Sequence, residues 1–259
     1  MKIILFTVIA LVVAGLSLRT LVASSGNPAR VSLKKDSSQA DSASGVAVVE
    51  LFTSEGCSSC PSADALLESL NADKKGAVYV LSFHVDYWNS LGWKDAFSKA
   101  EWTARQRHYV DRLHLESAYT PQAVVNGQEE FVGSNKSRLY TAVDHALHRA
   151  SSGNLRLTSK LEDGRIRVSF STLQKNATVN LVLVQKEASS QVQRGENSGR
   201  KLHHINVVRD FQKAEADGGS GEIFFRIPQG SEARDFKVIG FLQEDASDRI
   251  VGATEAAIL

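Results

Sequence analysis

The sequence predicts an α/β domain, a mixed sheet flanked by helices, over residues 46–150, followed by a β-rich, sandwich-like domain over 151–259. Two observations lead there. From Val46 onward, apolar runs of strand length alternate with segments of helical period; after Ser151-Ser-Gly-Asn the helical period stops and only short strand-like runs remain.

Val46 to Phe52 is a nearly continuous apolar run and is predicted as a buried strand. Ser58 to Leu70 places Ala63, Leu66, Leu67 and Leu70 at helical spacing. A β-rich run, Val78 to Tyr87, gives the second strand, and an irregular stretch from Trp88 to Phe97 follows it. Between Lys99 and Leu115, Trp102, Gln106, Tyr109 and Leu113 fall along one face of a predicted helix, while the locally basic run Arg105 to Arg112 is expected on its wet face. Asn126-Gly127 between two short apolar runs predicts a hairpin, and Lys136 to Ala150 a closing helix. The order is β-α-β-α-β-β-α. In the second half, strands are expected at Leu155–Leu161, Ile166–Phe170, Val179–Gln185, Ile205–Arg209, Glu222–Ile227, Phe236–Gln243 and Ile250–Thr254, with a long polar loop from Ser189 to His204.

Before the folded part, Met1-Lys2 leads into an apolar run from Ile3 to Leu18, then Arg19 and small residues. Residues 1–23 have the layout of a secretory signal. An uncleaved membrane anchor is the second reading, although the apolar run is short for a span of about 20 residues. Residues 24–45, rich in Ser, Ala, Asp and Lys, form a flexible linker. The protein is thus expected to be exported, periplasmic or secreted. With 30 Lys and Arg against 29 Asp and Glu in 259 residues, its charge argues against nucleic-acid binding.

The chain has two cysteines, Cys57 and Cys60, in Glu50-Leu-Phe-Thr-Ser-Glu-Gly-Cys57-Ser-Ser-Cys60-Pro61. A helix start favours the thiolate, which is the nucleophile, so a Cys-x-x-Cys pair there points to redox chemistry. Cys57 would attack a target disulfide and Cys60 would resolve it. The other readings are a structural disulfide, or a metal site that could draw on His84; a zinc site lacks a second Cys-x-x-Cys or paired histidines. His84, Asp86 and Trp88 alternate along one strand and share a face; beside the metal reading stands a stronger structural one, with His84 and Asp86 hydrogen-bonded in the sheet and Trp88 packing over the site as a lid. Glu50 is a candidate buried acid relaying the proton of Cys60, with a solvated or structurally paired glutamate as the alternative. Glu55 is read as a solvated loop acid. His203 and His204 would face opposite sides of a strand.

These residues resemble the thioredoxin superfamily in the order strand, Cys-x-x-Cys, helix, then Thr120-Pro121 before a strand and hairpin. The resemblance implies a thioredoxin-like domain at 46–150, a cis Pro121 facing the two sulfurs, and a substrate chain laid across the site beside Thr120. More closely, Glu50-Leu-Phe-Thr-Ser-Glu-Gly-Cys-Ser-Ser-Cys-Pro, Ser82-Phe-His-Val-Asp-Tyr-Trp, Leu91-Gly-Trp-Lys-Asp, Thr103-Ala-Arg-Gln-Arg, Tyr119-Thr-Pro-Gln and Arg194-Gly-Glu-Asn-Ser-Gly-Arg resemble the DUF1223 family of usually exported proteins. The function expected is thiol-disulfide exchange with protein thiols, reset by a redox partner and needing no diffusible cofactor. The alternatives are a noncatalytic binding module and copper delivery through the same thiols.

Overall fold

A computed structural model of the protein describes residues 45–73 and 77–259; the predicted signal or anchor segment and all of the linker but Gly45 lie outside the described residues. The N-terminal half supplies β1 (Ala47–Thr53), α1 (Cys60–Asp73), β2 (Val78–His84), α2 (Ala100–Arg112), β3 (Gln122–Val125), β4 (Glu129–Val132) and α3 (Lys136–His148). The C-terminal half supplies β5 (Leu155–Glu162), β6 (Arg165–Thr172), β7 (Ala177–Gln191), β8 (Lys201–Ala216), β9 (Ser220–Arg226), β10 (Phe236–Glu244) and β11 (Ile250–Ala257). All seven strands expected there form. Two of them grow: β7 and β8 pair from Ala177↔Ala216 to Gln191↔Lys201, so both ends of the expected loop from Ser189 to His204 are strand and residues 192–200 form the tip of a two-stranded ribbon.

The expected fold class is overturned by how these strands pair. β7, β8, β10 and β11 do not build a separate sandwich but join the N-terminal strands in one eight-stranded sheet, in the order β11-β10-β7-β8-β2-β1-β3-β4. The protein is mostly β, with three α-helices among the described residues, and is not a helix-flanked thioredoxin-like domain with an appended sandwich. The junction is the parallel pairing of β2 with β8 at Ser82↔Val207, reinforced by the Ser82 hydroxyl donating to the Ile205 carbonyl at 2.9 Å. Its physical cause lies in β2. Nearly every residue from Val78 to His84 is buried, on both faces, and a strand of that kind needs a neighbour on each edge.

Side-chain alternation sorts the packing. Ala47, Val49 and Leu51 of β1 and Val78 and Val80 of β2 bury against Ala63, Leu67 and Leu70 of α1 and Leu139, Ala142 and Val143 of α3. Val48, Phe52, Leu81 and Phe83 point the other way, toward Trp102 and Tyr109 of α2 and toward Val182, Val184 and Phe241. A smaller sheet, β5-β6-β9, packs Ile166, Val168, Phe170 and Phe225 on Leu181, Leu183, Val238 and Leu242.

On the α2 face the basic run departs from expectation. Arg105 turns inward and grips Glu50 through both its Nε and Nη2 atoms, the latter at 2.8 Å, while the Tyr109 hydroxyl donates to Glu50 Oε1 at 2.5 Å. Glu50 is fully buried, and the Arg105 guanidinium stacks among Phe83, Phe211 and Phe241. Burial opposes the charge on Arg105, but Glu50 beside it holds its pKa above the usual arginine value. Removing one partner strands a buried charge. Arg105→Met is therefore expected to destabilise the protein by about 3–5 kcal/mol, read as a lower urea midpoint at unchanged slope; a loss below about 1 kcal/mol would contradict this account.

Candidate functional site

Cys57 and Cys60 form a disulfide at the start of α1, with Cα atoms 5.4 Å apart. β1 delivers the chain to it: after Thr53 a tight turn, with the Cys57 N–H donating to the Ser54 carbonyl, leads into the helix. Both cysteines are buried, whereas Ser58 and Ser59 between them are exposed. The Cys57 Sγ lies 3.3 Å from the Ser59 hydroxyl.

Three segments close around this turn. The first is the tip of the β7–β8 ribbon. The buried Asn197 side chain donates to the carbonyls of both Glu55 and Cys57, each at 2.9 Å, and Arg200 donates to Asn197 Oδ1 at 2.8 Å, fixing the amide's orientation. Glu196 Oε2 accepts from the Ser58 N–H at 2.9 Å. Gly195 and Gly199 make the tip possible, with φ of 77° and 81° in the left-handed region. The Arg194-Gly-Glu-Asn-Ser-Gly-Arg200 motif is thus a clamp on the cysteine turn.

The second segment carries Trp88. Its indole N–H donates to the Thr120 hydroxyl at 2.9 Å, and a Cβ on Gly56 would come within 3.0 Å of the Trp88 Cβ, so Trp88 bridges from the residue before Cys57 to Thr120. The third is Thr120-Pro121 itself, joined by a cis peptide bond. Pro121 is buried beside α1: a Cβ on Gly133 would meet Ala63 at 3.3 Å and Pro121 at 3.4 Å. The structure thus brings Cys57, Cys60, Trp88, Thr120 and Pro121 into one neighbourhood. Half-buried Trp93 and exposed Leu91 lie near it, Gly195 packing against Trp93.

Glu50 is elsewhere. It points to the α2 face of β1, opposite α1, and its carboxylate is taken up by Arg105 and Tyr109, so the structurally paired alternative describes it. The buried acid beside the cysteines is Glu55, which the sequence reading placed in solvent. It is fully buried, its backbone N–H donates to Asp95 Oδ2 at 2.9 Å, and its Oε2 accepts from the Trp93 indole at 2.7 Å.

Around Glu55 lies a cluster of ionisable side chains. His204 Nε2 is 3.4 Å from Glu55 Oε1, and His204 Nδ1 is 3.5 Å from Asp64 Oδ2 on α1. The His84 ring meets His204 edge-on, centroids 4.7 Å apart, and shares Asp95 Oδ2 with the Glu55 N–H, at 2.7 Å. His84 therefore pairs with Asp95, while Asp86 accepts from the Thr103 hydroxyl at 2.6 Å. His203 and His204 do face opposite sides, the former exposed and 3.7 Å from Glu68. Burial works against a charged His204, but Asp64 and Glu55 on either side overcome it and raise its pKa to about 9. Burial likewise opposes the Asp95 carboxylate, and the His84 charge and hydrogen bond, with the Glu55 and Phe97 N–H groups, bring its pKa below the usual value. Glu55 and Asp64 contact different nitrogens of His204, and among the described residues no group of three or more His, Cys, Asp or Glu is arranged to hold a metal ion.

The fold and this turn define a disulfide-bearing, mostly β protein whose two halves share one sheet and meet over a Cys-x-x-Cys motif. The chain belongs to the family described as "Protein of unknown function (DUF1223)", whose model matches residues 48–243. Among solved structures it is similar to protein AGR_C_4864 from Agrobacterium tumefaciens, at 31% identity over 82% of this chain and 94% of that one, with a TM-score of 0.65. It also shares a fold with HBP35 of Porphyromonas gingivalis, at 16% identity over 83% of this chain and 76% of that one, with a TM-score of 0.58. Among curated proteins nothing matches. The intramolecular disulfide accords with export, and no helix among the described residues is long and apolar enough to cross a membrane.

A group whose pKa is raised on folding binds its proton more tightly in the folded state, so its contribution is complete below the unfolded value of about 6.5 and disappears as pH rises through the folded value. For His204 that window runs from about pH 6.5 to about 9. The urea midpoint of the oxidised protein is expected to fall across this window, and His204→Gln to flatten the fall. An unchanged slope in the variant would show that His204 is not the group titrating.

Proposed function

We propose that the protein is an exported thiol-disulfide oxidoreductase that exchanges disulfides with protein thiols through Cys57 and Cys60. The observation that carries this reading is the position of the disulfide. The chain's two cysteines are joined across three residues at a helix start, where the bond staples no distant segments. On the chain-entropy estimate such a short loop contributes about 2 kcal/mol, against about 4.7 for a loop of 100 residues. A bond that stabilises little, set where the helix dipole favours a thiolate, suits exchange better than scaffolding.

In the exchange, a partner thiolate attacks the Cys57 sulfur, a mixed disulfide forms, and the Cys57–Cys60 bond breaks with the electron pair leaving on Cys60. A second thiolate of the partner then displaces Cys57. The partner's two thiols become a disulfide and its two electrons reside in the reduced pair; run backward, the same steps reduce a partner disulfide. Thr120 and Pro121 lie at the edge where an extended partner chain would lie, and Trp88, held by its bond to Thr120, covers the turn beside Gly56. The local resemblance to thioredoxins, in the cysteine turn and Thr-Pro, supports this reading although the whole fold differs. No diffusible cofactor enters these steps; a redox partner resets the pair.

One observation favours a second reading, a binding module with an inert disulfide: Cys57 is only 1% exposed. Attack at its sulfur requires the exposed Ser58–Ser59 segment and the ribbon tip at Glu196 to yield. The two readings separate in a trapping experiment. Cys60→Ser, mixed with oxidised glutathione or a reduced-and-reoxidised client, is expected to accumulate a stable mixed disulfide at Cys57, and Cys57→Ser to accumulate none. No adduct in Cys60→Ser would favour the binding module.

A further inference from the structure

One buried ionisable group, packed against the residues that flank the two cysteines, is not used by the exchange chemistry above. His204 stands on β8, in the C-terminal half, yet it touches the chain on both sides of the disulfide. Glu55 lies two residues before Cys57. Asp64 lies four residues after Cys60, on the same face of α1. Each contact is an ion pair at 3.4–3.5 Å, and neither His204 nitrogen, nor Glu55 Oε1, nor Asp64 Oδ1 has a hydrogen bond. A histidine held between two buried carboxylates that flank one disulfide calls for an explanation beyond its contribution to stability.

The charges explain it. Glu55 and Asp64 as carboxylates are two negative charges flanking the cysteines, and by themselves they would disfavour a thiolate at either sulfur. A protonated His204 between them offsets one of the two. We propose that His204 is a positioning residue for the thiol-disulfide exchange, the counter-charge that holds down the thiol pKa of the reduced Cys57–Cys60 pair against Glu55 and Asp64. The proposal rests on that exchange reading. His204 touches neither a substrate nor, on the contacts described, a sulfur; it acts through the two carboxylates.

The remaining neighbours leave this assignment to His204. His84 packs on it edge-on from β2 but is committed to Asp95 through Nδ1 at 2.7 Å. Phe97, from the segment after β2, contributes an uncharged ring 5.8 Å away. Trp93 donates to the other oxygen of Glu55 and so keeps that carboxylate turned with Oε1 toward His204. The raised pKa of His204, about 9, keeps the imidazole protonated near neutral pH. Because β8 pairs with β2 and carries His204 onto α1, the C-terminal half then sets the reactivity of a motif in the N-terminal half.

The test uses the full chain reduced with dithiothreitol, with thiol ionisation read from the pH dependence of iodoacetamide alkylation, followed residue by residue in the mass spectrum. His204→Gln is expected to raise the pH of half-maximal alkylation by about one unit and so to slow alkylation at pH 7 about tenfold. Asp64→Asn is expected to move it the opposite way, and His203→Gln not at all. A structural role would move the two site variants in the same direction; that result, or an unchanged profile in His204→Gln, would overturn the proposal. Should His204→Gln fail to fold, wild-type protein gives the same answer by reciprocity. The ¹⁵N-histidine NMR titration of His204 is then expected at higher pH in the reduced than in the oxidised form, and identical curves would overturn the proposal. The exchange reading fails independently, if Cys60→Ser takes up no glutathione in the trapping experiment; the thiol pKa of dithiothreitol-reduced wild type still reports on His204.

Discussion

The parallel pairing of β2 with β8 is the constraint on which the rest of the structure depends. β2 is apolar on both faces and would be an exposed edge if the N-terminal half folded alone, ending the run β4-β3-β1-β2. β8 satisfies that edge, and with it come β7, β10 and β11, so that one sheet runs through both halves of the chain. The same pairing fixes what lies over the cysteines. The first residues of β8 carry His204 onto α1, and the ribbon tip before them carries Asn197 and Glu196 onto the turn between Glu55 and Ser58.

Sheet and helices divide the polar residues between two faces that do not communicate directly. On the α2 face, fully buried Glu50 and largely buried Arg105 form an ion pair against an aromatic shell, which specifies how α2 sits on β1. On the α1 face, Glu55, Asp64, His84, Asp95 and His204 gather behind the disulfide with several polar atoms unsatisfied. In the first, both oxygens of Glu50 are taken up, by Arg105 and Tyr109. The second is strained for partners, which is the condition in which ionisable groups respond to chemistry next to them.

Much of the local structure was legible in the sequence. Apolar periodicity located three α-helices and every long strand, because the burial that sets the period acts within each segment; Trp102, Gln106 and Tyr109 face inward on α2 as their spacing predicts. The Asn126-Gly127 turn, with both residues at positive φ, follows from the conformational freedom of that pair. Pairing between distant strands leaves no such trace, and this is why one sheet was read as two domains. The single available sign was β2, whose two buried faces demanded a further neighbour. Site residues divide along the same line. Cys57, Cys60, Trp88, Thr120 and Pro121 sit in recognisable local patterns, whereas Glu55 looked like a loop acid because the residues that bury it, Trp93, Asp95 and His204, come from elsewhere in the chain. The inward turn of Arg105 leaves no local trace for the same reason, its partner Glu50 lying 55 positions away.

The central claim is that the Cys57–Cys60 bond is meant to open. The measurement that tests it most directly is the equilibrium reduction potential of the pair in glutathione buffers, read by thiol trapping, with Cys57→Ser as the control. A potential between about −120 and −270 mV would place the pair among exchange-competent dithiols, as the account predicts. A pair that stays oxidised well below about −300 mV would be a structural disulfide and would contradict it.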